Sequence, residues 1–222
     1  MDHWSRDTCL GRFMRFRLSR RLRVHLMSVQ LDITVGRPWA LAFALALRDG
    51  MDVPAADAPR TRFGNAHPEY SDEADAWRRW WDSLLARGAS NRGFAELNDA
   101  RSVEDLASLG APGFGVATSL ITEAAAWATS RAFVAGEMSA PTSRPSPVID
   151  GIVAAGFQTP SGRRKARRGL GRALPNDVVV AVVPVIGEWG RVTKFGSILV
   201  SESVASHAEL TRQYFAQSLW AA

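Results

Sequence analysis

The sequence predicts an α+β fold: a small mixed or antiparallel sheet, made from an N-terminal strand and a C-terminal hairpin, covered by several helices. Three observations lead there. Residues 29–36, VQLDITVG, alternate apolar and polar side chains; residues 177–203 hold a continuous apolar run and a second strand-like stretch; and the segments between carry apolar residues at helical spacing. With 222 residues and 46% hydrophobic content, the chain has the material for one medium domain or two small ones with a real core.

Residues 1–26 contain seven arginines against Asp2 and Asp7, hold the sole cysteine, Cys9, and show no continuing apolar period. They read as a disordered basic leader, or as sequence upstream of a start at Met27. The paired arginines of SRRLRVHL look like an export signal, but Gln30 and Asp32 break the apolar run such a signal needs. From Met27 onward twenty basic and twenty acidic residues cancel, so the formal charge of +5 belongs to the leader. Residues 27–222 are expected to form a single α+β domain.

The first strand has Val29, Leu31, Ile33 and Val35 on one face and ends at Gly36. Pro38 suits the first turn of a helix, where its missing N–H has no partner to lose. The run PWALAFALAL is apolar around its whole circumference, which predicts a helix buried on all sides, and it is about half the length needed to span a bilayer. No membrane association is expected. Residues 51–70, with prolines at 54, 59 and 68, have no period and read as a surface connection.

Ser71 is the expected cap of a helix whose first turn carries Asp72, Glu73 and Asp75. Trp77, Trp80, Trp81, Leu84 and Leu85 then fall on one stripe, so the WRRWW cluster reads as core rather than as a stacking platform. Ser102 and Asp105 form a capping-box pattern opening a short helix. A long alanine-rich helix is predicted from Val116 to Met138. The proline-rich SAPTSRPSPV, residues 139–148, marks an internal boundary.

In the last third, the apolar run from Asp177 to Val183 predicts a strand covered on both faces, which therefore needs a neighbour on each edge. GEWG, residues 187–190, reads as the turn of the hairpin, with Trp189 either a contact residue or folded back, and Gly196 suggests a bulge. Ser206 and Glu209 form a second capping-box pattern before the closing helix.

Local composition singles out SGRRKARRGLGR, residues 161–172. Arg163, Arg164, Lys165, Arg167, Arg168 and Arg172 lie there without an intervening acid, while the rest of the chain after Met27 carries six more acids than bases. In a helix, Arg163 would stack on Arg167 and Arg164 on Arg168, like charges that repel by about 0.2–0.5 kcal/mol per pair. A polyanion would remove that repulsion and release its own counterions. No aromatic side chain is interleaved, so contact with nucleic acid would be to backbone phosphates. The alternative is a solvated loop balanced by acids elsewhere in the fold.

A second cluster, NAHPEYSDEAD at 65–75, offers His67, Glu69 and Asp72 as an acid–base set or a divalent-cation site, although its spacing matches no zinc-helix pattern. GAPGFG at 110–115 lacks the Lys-Ser/Thr ending of a phosphate loop, and no serine stands in a Gly-x-Ser-x-Gly elbow. One cysteine permits neither an internal disulfide nor a cysteine-based zinc site. No cofactor motif is present. The chain therefore reads as a non-catalytic cytoplasmic binding module whose segment 161–172 engages an anionic partner, nucleic acid or a phosphate-bearing ligand. The alternatives are a metal-assisted hydrolase using the His/acid loop, and a subunit that docks on a protein partner through Trp189 or Trp220.

Overall fold

The computed structural model describes residues 20–26, 29–54, 58–64, 66–137, 147–152 and 177–220. Their architecture is α+β. Strands β1 (Arg20–Leu26), β2 (Val29–Gly36), β3 (Asp177–Val183), β4 (Gly190–Val192) and β5 (Ile198–Ser201) form one sheet in the order β1-β2-β3-β5-β4. The middle of the sheet is parallel: Asp32 pairs with Asp177, and Val180 with Ile198. Its two edges are antiparallel, β1 on β2 and β4 on β5.

The apolar run of β3 occupies the centre, as a strand apolar on both faces requires. Val179, Ala181 and Val183 face one core, and Val178, Val180 and Val182 face the other. In-register neighbours share a face, so Ile33 joins Val178 while Leu199 joins Ala181. Helices cover both sides. The larger core holds α1 (Trp39–Gly50), α2 (Ala74–Gly88), α3 (Asn91–Asp99), α4 (Val103–Ser108) and α5 (Thr118–Glu137). The smaller one receives Val148 from α6 (Pro147–Ile152), Val204 and Ala205 from α7 (Glu202–Ala205), and Tyr214 from α8 (Ala208–Trp220).

Every residue of α1 is buried, because α5, α2 and α3 surround the side that the sheet leaves open. The tryptophan stripe of α2 packs inward: Trp77 stacks on Trp81 at 5.5 Å and donates its indole N–H to the Ala44 carbonyl at 2.8 Å. Trp80 meets Phe43 edge-on. Each such ring pair contributes about 0.5–1.5 kcal/mol beyond the area it buries. No helix among the described residues is long and apolar enough to cross a membrane.

Several local expectations change. Residues 20–26 are not without order: they form β1, with Leu22 opposite Ile33 and Val24 opposite Leu31, while residues 1–19 lie outside the described residues. The alternation Leu22, Val24, Leu26 was the signal, hidden among arginines. The C-terminal hairpin is β4–β5, with its turn at Lys194–Gly196, and β5 inserts between β3 and β4. Gly196 serves that turn at φ 94° and makes no bulge. After β3, Pro184 offers no N–H for a ladder, so GEWG leads away from the strand instead of folding β4 back on it.

Helix α3 was not expected. Ser90 caps it by accepting the Gly93 N–H at 3.1 Å, and Phe94 and Leu97 bury its inner face. Its Gly93 is required, since a Cβ there would stand 2.1 Å from the Arg87 carbonyl oxygen. Helix α2 starts at Ala74 because Pro68–Glu73 form a separate 3-10 turn, so Ser71 does not stand at its N-cap. The Ser102–Asp105 capping box forms. The one expected at Ser206 does not: α7 intervenes, and the Ser206 hydroxyl donates back to the Ser203 carbonyl at 2.9 Å. The proline-rich boundary at 139–148 lies almost wholly outside the described residues, which resume at Pro147.

Candidate functional site

Of the two clusters singled out by composition, only the His/acid turn falls among the described residues. Arg163, Arg164, Lys165, Arg167, Arg168 and Arg172 lie outside the described residues. His67 Nδ1 and Glu69 Oε1 do meet, at 3.2 Å, on the exposed turn before α2. Asp72 is exposed on the same turn without a partner among the described residues, and Glu73 turns away to accept the Gly115 N–H at 2.9 Å. Among the described residues no group of three or more His, Cys, Asp or Glu side chains is placed to hold a metal ion. Trp189 is half-buried against the larger core.

Among the described residues a concave feature lies elsewhere, at the carboxyl ends of the parallel strands β2, β3 and β5. Ligands of open parallel sheets bind in such a place, because connections leaving adjacent strand ends splay apart there. A cleft of about 330 Å³ is lined by Arg62, Arg131, Glu188, Glu202, Ser203 and the stretch Pro184–Gly187. That volume is in the range of small-ligand sites. Arg37, directly after β2, stands beside it.

One wall is the loop after β3, which turns at Gly187 with φ 84°. It is tied on three sides. The Ile186 N–H donates to the Arg60 carbonyl at 2.8 Å, the Ser203 hydroxyl to the Gly187 carbonyl, and the Tyr214 hydroxyl to the Glu188 carbonyl at 2.5 Å. The Trp189 N–H reaches Ser201 Oγ at 3.1 Å, the same oxygen that caps α7 by accepting the Val204 N–H. Ile186, 49% exposed, and the Glu188 side chain therefore stand on a fixed backbone.

Opposite, Glu202 is held by two guanidinium groups, Arg37 Nη1 at 2.7 Å and Arg131 Nη1 at 4.0 Å. Arg131 is steadied further by lying 5.3 Å over the Trp127 ring. Glu202 is thus largely neutralised. Arg62 is exposed and has no partner among the described residues, so the cleft carries guanidinium character that its own walls do not satisfy.

None of these cleft residues was singled out from the sequence as part of a site. Arg37, Arg62, Arg131, Glu188 and Glu202 come from separate stretches of chain, and only Arg37 carried a signal, being placed between a predicted strand end and a predicted helix start. Comparison with known proteins adds no assignment: no protein-family model, curated protein or solved structure matches the chain.

Proposed function

We propose that the protein is a cytoplasmic, non-catalytic binding module that engages an anionic partner, nucleic acid or another phosphate-bearing ligand, through Arg163, Arg164, Lys165, Arg167, Arg168 and Arg172. One observation carries this reading. The rival explanation needs carboxylates free to balance that segment from within, and seven acids of the described residues already hold a lysine or arginine of their own. Asp49 pairs with Arg48, Asp52 with Arg60, Asp75 with Arg78, Asp82 with Lys194, Glu96 with Arg87 and Arg92, Glu202 with Arg37, and Glu209 with Arg212. A carboxylate within about 3 Å of a guanidinium offers little further attraction to a second one. Those seven are poor partners for six cations that lie together in the sequence without an intervening acid, which supports an outside anion as their counter-charge.

The test is binding of fluorescent single-stranded and duplex oligonucleotides to the full chain over a range of salt. If all six cations contact phosphate, log affinity falls against log salt with a slope of about −5. Replacing the six by glutamine flattens that slope. A full chain that shows no salt-dependent affinity for DNA, RNA or heparin removes the proposal.

A further inference from the structure

We infer that the cleft at the carboxyl ends of β3 and β5 is a second binding site, for a small organic anion bearing one carboxylate or phosphate group. The inference does not rest on the cationic segment. That segment ends shortly before Asp177, the first residue of β3, whereas the cleft lies beyond Val183 at the other end of the same strand.

The charge of the walls selects the ligand. Two guanidinium groups, Arg62 and Arg131, border the space, and the carboxylate nearest to Arg131 is already taken up by Arg37 at 2.7 Å. A guanidinium without a protein partner offers paired N–H donors in one plane, matched to the two oxygens of a carboxylate or phosphate. Arg131 is pre-aimed, since its contact with the Trp127 ring and Glu202 restricts its rotamers before any ligand arrives.

Size and polarity set the rest of the molecule. Pro184, Val185 and exposed Ile186 form an apolar wall of the same cleft. A ligand with its anionic head on Arg62 and a compact apolar body against that wall satisfies both. Glu188, on the fixed loop, disfavours a second negative charge, which limits the ligand to a single anionic group. Because the loop is tied at Ile186, Gly187 and Glu188, the ligand meets a wall already in position.

The experiment is a nuclear magnetic resonance titration of the isotope-labelled full chain with phenyl phosphate, with benzoate and with benzylamine. The first two are expected to shift the amides of residues 185–188, 202 and 203 in a saturable manner, and whichever binds more tightly names the head group. Benzylamine is expected to leave those amides unmoved. Arg62→Gln should weaken binding of the preferred anion at least tenfold while leaving the remaining spectrum intact, because Arg62 is exposed and has no partner among the described residues. A variant with the six cations of 161–172 replaced by glutamine should bind as the natural chain does. Failure of both anions to shift the cleft amides, equal response to benzylamine, or unchanged affinity in Arg62→Gln would each overturn the assignment.

Discussion

Arg48 and Asp49 close the fully buried helix α1, and both are buried themselves, at 1% and 4% exposure. Burial pulls the Arg48 guanidinium below its usual range, and the neighbouring Asp49 carboxylate opposes that pull. The pair survives because every polar atom is used. Arg48 donates to Asp49 at 2.8 Å and to the carbonyls of Ala58 and Pro59 at 2.9 and 2.7 Å, while Asp49 Oδ2 accepts the Thr61 N–H and hydroxyl. These bonds fix residues 58–61 against the end of α1 and so deliver Arg62 to the cleft. Asp49→Ala would strand the buried guanidinium and release Thr61, at a cost of about 3–5 kcal/mol in urea unfolding. None of this was legible in the sequence, where Arg48-Asp49-Gly50 looks like an ordinary polar helix end and its partners lie in a segment without pattern.

Where a pattern was strong and local, elements came out as expected. The alternation of VQLDITVG became β2 over the same residues, the apolar circumference of residues 39–47 became the buried α1, and the indole stripe packed inward. What escaped was either masked by charge, as in β1, or short, as in α3, whose inner face rests on two large side chains. The start of α8 belongs to the same lesson. Glu209, read as half of a capping box, instead binds Arg212 through Nε at 2.8 Å and accepts from Gln213 at 3.1 Å. Hydrogen bonds from Arg212 and then Gln213 hold the Glu209 carboxyl down at about 2. Because the folded value is depressed, its support of this first turn is present above the ordinary glutamate range and is lost as pH falls toward 2. Carboxyl-carbon chemical shifts of the folded chain should therefore show Glu209 still ionised at pH 3, and a midpoint raised toward the ordinary glutamate range in Arg212→Gln, where the bond from Gln213 remains.

At the level of the whole molecule, the α+β class and the need of β3 for neighbours on each edge were legible, whereas the site was not. The cleft is assembled from residues 37, 62, 131, 184–188 and 202–203, and nothing in any one of those stretches announces the others. Sheet order also decides how the molecule meets its copies. β1 covers the outer edge of β2 through pairs from Arg20↔Val35 to Leu26↔Val29. A variant beginning at Met27 would leave that edge unpaired, with an alternating apolar face beside it, and is expected to self-associate in light scattering where the full chain does not.

The register that places Asp32 beside Asp177 has a consequence for how the chain reaches its shape. The central pairing joins residues from opposite ends of the polypeptide, so during synthesis α1 and the helices after it must emerge long before β3 exists to roof them. Loop-closure entropy opposes such a distant encounter, and chains that depend on one acquire their native state slowly. A nascent polypeptide of this kind carries the apolar helix α1 uncovered for most of its translation.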